Sequence, residues 1–130
     1  MSKPTILFAC IHNSGRSVAA QVLAAHHGGD RVAVRSAGSE PGDGVNPVVA
    51  QVLAERGLPV ESHTPTLLTR DLVAETDVVI TMGCGETCPV FPGKRYEDWQ
   101  VADPKGQDLE TVRAIVDDID ARVQTLLATL

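Results

Sequence analysis

The sequence is poor in aromatic residues and cysteines, has no long hydrophobic run, and has no excess of positive charge. The formal net charge of its 130 residues is -6, which disfavours a nucleic-acid surface because such surfaces need clustered cations. No apolar stretch reaches the ~20 residues of a membrane-spanning helix. The apolar run near the N-terminus is too short and too sparsely flanked by basic residues for a signal peptide. We therefore expect a cytoplasmic protein that binds neither nucleic acid nor membranes.

The three cysteines are Cys10, Cys84 and Cys88. A compartment that keeps thiols reduced does not favour a structural disulfide framework, so thiol chemistry is the better interpretation. A four-ligand zinc site is disfavoured because Cys84 and Cys88 lack a second nearby pair of ligands. Two of the four histidines are the neighbours His26 and His27 at the end of a predicted helix, and none is expected to belong to a metal cluster. We expect neither a metal nor a cofactor.

Apolar runs and helical patterns alternate along the chain. The predicted strands are Thr5–Ala9, Val32–Ser36, Asp77–Met82 and a brief segment near Tyr96–Trp99. The predicted helices run from Ser17 to a stop at Gly28-Gly29, from Pro47 after the N-cap Asn46 to Arg56 before Gly57, from about Arg70 to Glu75, and onward from Asp108 as N-cap. This alternation predicts a single α/β domain over residues 1–130, a three-layer sandwich with a parallel sheet between helices.

The last predicted helix has the clearest pattern. One apolar face is expected to contain Val112, Ile115, Val116, Ile119, Val123, Leu126, Leu127 and Leu130.

The preceding residues, 83–106, are rich in proline and glycine and are expected to be mostly a functional loop.

Ligands of parallel sheets bind beyond the carboxyl ends of the strands. The loop after Ala9 and the loop after Met82 both leave from that edge. The topology therefore predicts that Cys10, Cys84 and Cys88 approach one edge of the sheet.

The first of these loops has the composition of an oxyanion site. It lies between a buried strand and a helix N-terminus, where backbone N–H groups and the helix dipole attract an anion. The same potential favours the thiolate form of Cys10, and Arg16 offers a planar fork to two oxygens of a tetrahedral oxyanion. The predicted oxyanion-binding residues are Ile11, His12, Asn13, Ser14, Gly15 and Arg16. The alternative is an inert buried Cys10 and a surface Arg16.

His12 is expected to contribute its backbone, because a thiolate that is already ionised needs no general base. The oxygen expelled from the oxyanion does need a proton, and Asp103 is the candidate acid. It precedes Pro104 in the long loop, so a turn-forming Asp-Pro pair is an equally good interpretation of these two residues alone.

Three segments resemble the low-molecular-weight tyrosine phosphatase superfamily, and the resemblance covers nearly the whole chain. They are the loop from Cys10 to Arg16 with Ser17, the turn Ser36-Ala37-Gly38 and the segment Trp99-Gln100-Val101-Ala102-Asp103-Pro104. The resemblance implies a four-stranded parallel sheet flanked by helices. It also implies the roles of five residues: Cys10 as nucleophile, Arg16 as oxyanion binder, Ser17 as thiolate partner, Asn13 as loop-shaping residue and Asp103 as general acid.

Within that superfamily the chain looks more like the arsenate reductases than the phosphatases. Asp103-Pro104 is followed by Lys105-Gly106-Gln107, where phosphatases usually place aromatic residues, and aromatics make up only 3% of the chain. Cys84 and Cys88 follow the strand after which reductases of this fold carry redox cysteines. Residue 18 is valine, where phosphatases often have proline.

The resemblance to these reductases implies a relay of thiols. Cys10 would attack arsenate, Cys84 would attack Cys10 to release arsenite, and Cys88 would carry the disulfide to thioredoxin. The two later cysteines are separated by three residues, fewer than is usual in the family, so the order of attack stays open. Some family members bind potassium through a glutamate, but Gln21 stands at the matching position, and we predict no ion there.

Three alternatives remain from the sequence. The arseno-adduct could pass to a low-molecular-weight thiol such as mycothiol or glutathione, which would need only Cys10. A phosphocysteine could instead be hydrolysed by water, as in a phosphatase. The chain could also be an oxyanion or arsenite sensor, although its acidity and lack of a DNA-reading element disfavour that reading.

Overall fold

A computed structural model describes residues 3–60, 63–82 and 94–130 of the chain. Four parallel strands form one sheet in the order β2-β1-β3-β4. The strands are β1 (Thr5–Cys10), β2 (Ala33–Gly38), β3 (Val78–Thr81) and β4 (Arg95–Asp98). The predicted strands are confirmed with shifts of one or two residues at their ends, and the four-stranded parallel sheet implied by the resemblance is confirmed as well.

In the described part of the chain, four α-helices connect and cover the strands. They are α1 (Arg16–Gly28), α2 (Pro47–Glu55), α3 (Arg70–Ala74) and α4 (Leu109–Ala128). Asn46 caps α2 by accepting hydrogen bonds from the N–H groups of Val48 and Val49, and Asp108 caps α4 by accepting one from Thr111. Both predicted N-caps are therefore confirmed.

The sheet has a thick and a thin hydrophobic side. On the thick side Ile6, Phe8 and Ile80 pack with buried residues of α1, α2 and α4. On the thin side a small cluster forms around Leu7 and Val79, which pack with Val73 of α3. The alternation of side chains along β1 thus sends successive residues into two cores, and this gives the predicted three layers.

Polar contacts fasten α2 to α4 on the thick side. The guanidinium of Arg113 donates through Nε and Nη2 to the two carboxylate oxygens of Glu55, at 3.0 and 2.7 Å. This hydrogen bond from Arg113 lowers the pKa of the Glu55 carboxyl below its usual value.

The apolar face predicted for the last helix is confirmed from Val112 to Leu127, all of whose predicted members are buried. The inclusion of Leu130 was wrong. The helix ends at Ala128, and Leu130 is 46% exposed, because the helical period no longer directs a side chain inward once the helix has stopped. Among the described residues, no helix is both long enough and apolar enough to cross a bilayer.

Candidate active site

The candidate site lies at the carboxyl end of β1, a strand with hydrogen-bonded neighbours on both sides. Cys10 is the last residue of β1, and Arg16 is the first residue of α1. The intervening residues form a loop between the strand end and the helix N-terminus, which we call the oxyanion loop (residues 10–16). The predicted strand–loop–helix setting is therefore present.

The sulfur of Cys10 is nearly buried and lies among hydrogen-bond donors. The backbone N–H of Asn13 donates to Cys10 Sγ at 3.2 Å, and Ser17 Oγ lies 2.9 Å from the same atom. Ser17 Oγ also accepts a hydrogen bond from Asn13 Nδ2 at 2.8 Å, so its own proton can point at the sulfur. A thiolate is stabilised by such an arrangement because it only accepts hydrogen bonds.

Asn13 shapes the loop from the inside. It has φ of 51°, in the left-handed region that asparagine tolerates, and its side chain is completely buried. Its Oδ1 accepts the N–H of Thr66 at 2.9 Å, which fixes the orientation of the amide and turns Nδ2 toward Ser17. The buried amide thus holds the hydroxyl group of Ser17 in place.

A neighbouring segment binds the outer surface of the oxyanion loop. The carbonyls of Cys10, Ile11, His12 and Ser14 accept hydrogen bonds from the N–H groups of Ser39, Glu40, Gly42 and Asn46, at 2.8 to 3.2 Å. The C=O and N–H of a trans peptide unit point in opposite directions. Carbonyls held on the outside therefore turn the following N–H groups toward the inside, where an anion would bind.

Gly38 allows this close approach. A Cβ at Gly38 would lie 2.5 Å from the carbonyl oxygen of Ile11 and 2.8 Å from the nitrogen of Asn13. Both are backbone atoms that cannot rotate away. The Ser36-Ala37-Gly38 turn singled out in the sequence therefore needs glycine at its last position so that two segments of backbone can touch.

Arg16 and Asp103 meet on the opposite side of the site. The side chain of Arg16 is 11% exposed, and its Nη1 donates to the carbonyl of Val101 at 3.3 Å. Its Nη2 lies 3.9 Å from Asp103 Oδ2, while Asp103 Oδ1 accepts the N–H of Lys105 at 3.0 Å. Asp103 is 54% exposed, so it is accessible to solvent and lies beside the arginine.

These groups surround one open cavity of about 720 Å³. Its lining includes Cys10, Arg16 and Asp103, and its walls come from residues 42–48 and 104–107. Gly15 packs against the ring of Pro104, where a Cβ at position 15 would lie 2.8 Å from Pro104 Cγ. A nucleophile, a cation and a carboxyl group at one cavity can attack an oxyanion, stabilise its charge and protonate the leaving oxygen.

The predicted site residues fall into four groups. Cys10, His12, Ser14, Gly15, Arg16 and Asp103 line the cavity, whereas Asn13 and Ser17 are buried behind the sulfur. Ile11 contributes its carbonyl on the outer side, and the Nδ1 of the exposed His12 bonds to the carbonyl of Glu40 at 2.9 Å. Cys84 and Cys88 lie outside the described residues.

Several contacts were not anticipated from the sequence. They are the support of the loop by residues 39–46, the approach of His63 to Asn13, and the anchoring of Arg16 by a backbone carbonyl. These contacts join backbone groups or residues far apart in the chain, which local patterns do not report. The close approach at Gly38, in contrast, left a signal in the sequence as a glycine within a small-residue turn.

Comparison with known proteins agrees with this geometry. The model of the low molecular weight phosphotyrosine protein phosphatase family matches residues 5–130. The chain belongs to this family.

Named relatives within the phosphatase family include arsenate reductases. Arsenate reductase 1 of Staphylococcus epidermidis is 36% identical over 129 residues, which cover 96% of each chain. The glutaredoxin arsenate reductase of Synechocystis is 33% identical over 96% of this chain and 97% of that protein.

A solved structure, the thioredoxin-dependent arsenate reductase of Corynebacterium glutamicum, superimposes with a TM-score of 0.87 at 42% identity. The match covers 98% of this chain but 61% of the Corynebacterium chain.

Proposed function

We propose that this member of the phosphatase family is an arsenate reductase with Cys10 as nucleophile. The observation that carries the proposal is the position of Cys10 Sγ, which receives a backbone N–H and contacts Ser17 Oγ at a cavity shared with Arg16 and Asp103. The choice of arsenate is supported by relatives named arsenate reductases that match the chain along nearly its whole length.

The first step joins Cys10 to arsenic. The thiolate attacks arsenate, a sulfur–arsenic bond forms, and one arsenic–oxygen bond breaks. Asp103 donates a proton so that the oxygen leaves in a water molecule. Arg16 binds two of the remaining oxygens as charge develops, and the inward N–H groups of the oxyanion loop assist it.

Reduction then requires a second thiol. In the relay, the Cys84 thiolate attacks the sulfur of Cys10, the bonding electron pair passes to arsenic, and arsenite leaves as As(III). Cys88 attacks Cys84, releases Cys10 and leaves a Cys84–Cys88 disulfide for thioredoxin to reduce. One structural fact supports this assignment: Met82, two residues before Cys84, donates its N–H to the carbonyl of Ala9, next to Cys10.

Arsenate-dependent oxidation of NADPH with thioredoxin and thioredoxin reductase tests the whole scheme. Cys10→Ser should abolish turnover, and Cys84→Ser and Cys88→Ser should each permit at most one turnover. Multiple turnover at the wild-type rate in both of the latter variants would rule out the relay.

A transferase that passes the arseno-adduct to a small thiol is the second candidate. The 33% identity to a glutaredoxin arsenate reductase favours it. Replacing thioredoxin by glutathione or mycothiol with a glutaredoxin-type protein separates the two schemes. Activity only with the small thiol would assign the transferase reaction.

The matching family is named after phosphatase activity, which is therefore the third candidate function. Among the described residues that line the cavity there is no phenylalanine, tyrosine or tryptophan, and this favours a small inorganic substrate over a phenol ester. Steady hydrolysis of an aryl phosphate at a rate comparable to arsenate turnover would favour the phosphatase instead.

A cytoplasmic location also belongs to the proposal, because the relay requires a compartment that keeps thiols reduced.

A further inference from the structure

We infer that Lys105 is a specificity-determining residue that attracts anions into the cavity and favours them over uncharged reactants. The inference rests on the proposed function, in which Cys10 attacks an oxyanion. Lys105 directly follows the Asp103-Pro104 pair and lines the cavity on the wall formed by residues 104–107.

The chain as a whole does not attract an oxyanion. Its formal net charge is -6, and Asp43 and Asp103 add carboxyl groups to the lining of the cavity. The lysine and arginine residues of that lining are Arg16 and Lys105. The field of an acidic protein slows the approach of an anion, so a cation at the cavity has a large influence on the rate of entry.

The two cations of the cavity differ in exposure. The side chain of Arg16 is 11% exposed, donates through Nη1 to the carbonyl of Val101 and lies 3.9 Å from Asp103 Oδ2. Lys105 is exposed, and within the part of the chain that the structure describes its ammonium group forms no salt bridge. Arg16 is thus placed to hold an anion that has arrived, whereas an incoming anion meets the charge of Lys105 first.

A turn holds the backbone of Lys105 at the cavity. Gln107 donates its N–H to the carbonyl of Pro104 at 3.1 Å, and Gly106 has φ of 74°. This pattern is typical of a type II turn with Lys105 and Gly106 at its centre. The N–H of Lys105 also donates to Asp103 Oδ1 at 3.0 Å. The backbone is therefore fixed beside the proposed acid, while the flexible four-carbon stem lets the ammonium group follow an anion.

The cavity is small enough for a charge on its wall to act throughout it. A sphere of 720 Å³ is roughly 11 Å across, and the Debye length is about 10 Å at an ionic strength of about 0.1 M. The Debye length falls to about 3 Å in about 1 M salt. The contribution of Lys105 should therefore be large at low salt and nearly absent at high salt.

Alkylation of Cys10 by two reagents of similar size tests the inference without arsenate. Iodoacetate carries a negative charge, and iodoacetamide carries none. In a Cys84→Ser, Cys88→Ser background Cys10 is the remaining thiol. Lys105→Gln should slow alkylation by iodoacetate about threefold and leave alkylation by iodoacetamide unchanged, the effect expected of one charge within about one Debye length.

Two more substitutions at the same position check the sign of the effect. Lys105→Glu reverses the charge and should slow alkylation by iodoacetate about tenfold, whereas Lys105→Arg keeps the charge and should react like the wild type. All three variants retain the backbone N–H that bonds to Asp103. In about 1 M sodium chloride their rates should agree to within about 1.5-fold.

Lys3→Gln is the matched control, because it removes the same charge from the other edge of the sheet. Lys3 is exposed and precedes β1, whereas the cavity lies at the carboxyl end of that strand. Both alkylation rates should stay near wild type in this variant. Equal slowing by iodoacetate in Lys3→Gln and Lys105→Gln would refute the inference, because only the net charge would then matter. Equal slowing of both reagents in Lys105→Gln would refute it as well, because charge attraction does not act on iodoacetamide.

Arsenate kinetics extends the test to the proposed reaction. Lys105→Gln should lower kcat/KM for arsenate about threefold at low salt and leave kcat unchanged, because the charge acts on entry and not on the chemical step. Wild-type iodoacetate rates in both Lys105→Gln and Lys105→Glu would refute the inference. A wild-type protein that fails to reduce arsenate with any thiol donor would refute the proposed function, and the alkylation rates would still decide the role of Lys105.

Discussion

The two segments that face each other across the cavity are held in different ways. The oxyanion loop has its carbonyls bound by residues 39–46 and by His63, and the interior side chains Asn13 and Ser17 are completely buried. Asp103 is 54% exposed, accepts a hydrogen bond from its near neighbour Lys105, and lies 3.9 Å from Arg16. The half proposed to bind the anion is thus ordered in advance, while the proposed acid keeps access to the solvent, from which it would regain a proton.

Arg16→Lys should have the largest effect on activity. It alters the segment proposed to bind the anion, at the residue that also faces Asp103. A lysine supplies charge but not a planar fork, so kcat/KM for arsenate should fall by about 10²–10³-fold. Steady-state kinetics measures this loss. Arg113→Lys, which alters only the exposed pair with Glu55, is the control and should stay near wild type. Equal activity of the two variants would contradict the role of Arg16.

Asp103→Asn should alter the segment on the opposite side of the cavity while leaving anion binding intact. Loss of a general acid is expected to lower kcat by about 10² or more. Inhibition by inorganic phosphate should persist, and it should strengthen if the carboxylate beside Arg16 repels the anion. Parallel loss of kcat and phosphate binding would mean that Asp103 serves the structure of the site and not proton transfer.

Gly38→Ala should show how far the oxyanion loop depends on its support. The added methyl would meet two backbone atoms of the loop, and the free energy of unfolding should fall by ~1–3 kcal/mol. Urea unfolding measures the change. Gly44→Ala in the same supporting segment adds a methyl that meets nothing within 4 Å, so it should leave stability nearly unchanged. Similar losses in both variants would argue against a specific contact at Gly38.

Ser17→Ala should give the smallest of these effects. It removes one donor to Cys10 Sγ but leaves the N–H of Asn13 in place, so arsenate turnover should slow by about tenfold. Thr125→Ala removes an exposed hydroxyl on α4 that donates to a helix carbonyl, and it provides the control. A Ser17 variant with full activity would show that the backbone donor alone suffices.

Local patterns predicted much of the fold. The continuous apolar run before Cys10 identified a strand buried on both faces, and the short polar caps Asn46 and Asp108 located the starts of two helices. These features are visible because each depends on residues close together in the chain. Leu130 was misassigned for the same reason, since the apolar pattern continues one step beyond the end of the helix.

The chemical groups of the candidate site could be predicted from the sequence, but the hydrogen bonds that hold the oxyanion loop could not. Cys10, Arg16 and Asp103 could be named as candidates because their side chains suit the proposed reaction. The hydrogen bonds of residues 39–46 use backbone groups that every sequence possesses, and His63 reaches Asn13 across 50 positions. Such contacts arise only when the strands and loops have assembled in three dimensions.

The charge pattern of α1 has a consequence for folding. Its first turn contains Arg16 and no acidic residue, so a cation stands at the positive end of the helix dipole. This arrangement opposes the folding of the helix and attracts an anion. An oxyanion that binds here therefore offsets the unfavourable interaction between Arg16 and the dipole of α1. Inorganic phosphate or arsenate should thus act as a stabiliser of the whole protein, raising its melting temperature as its concentration rises above the dissociation constant.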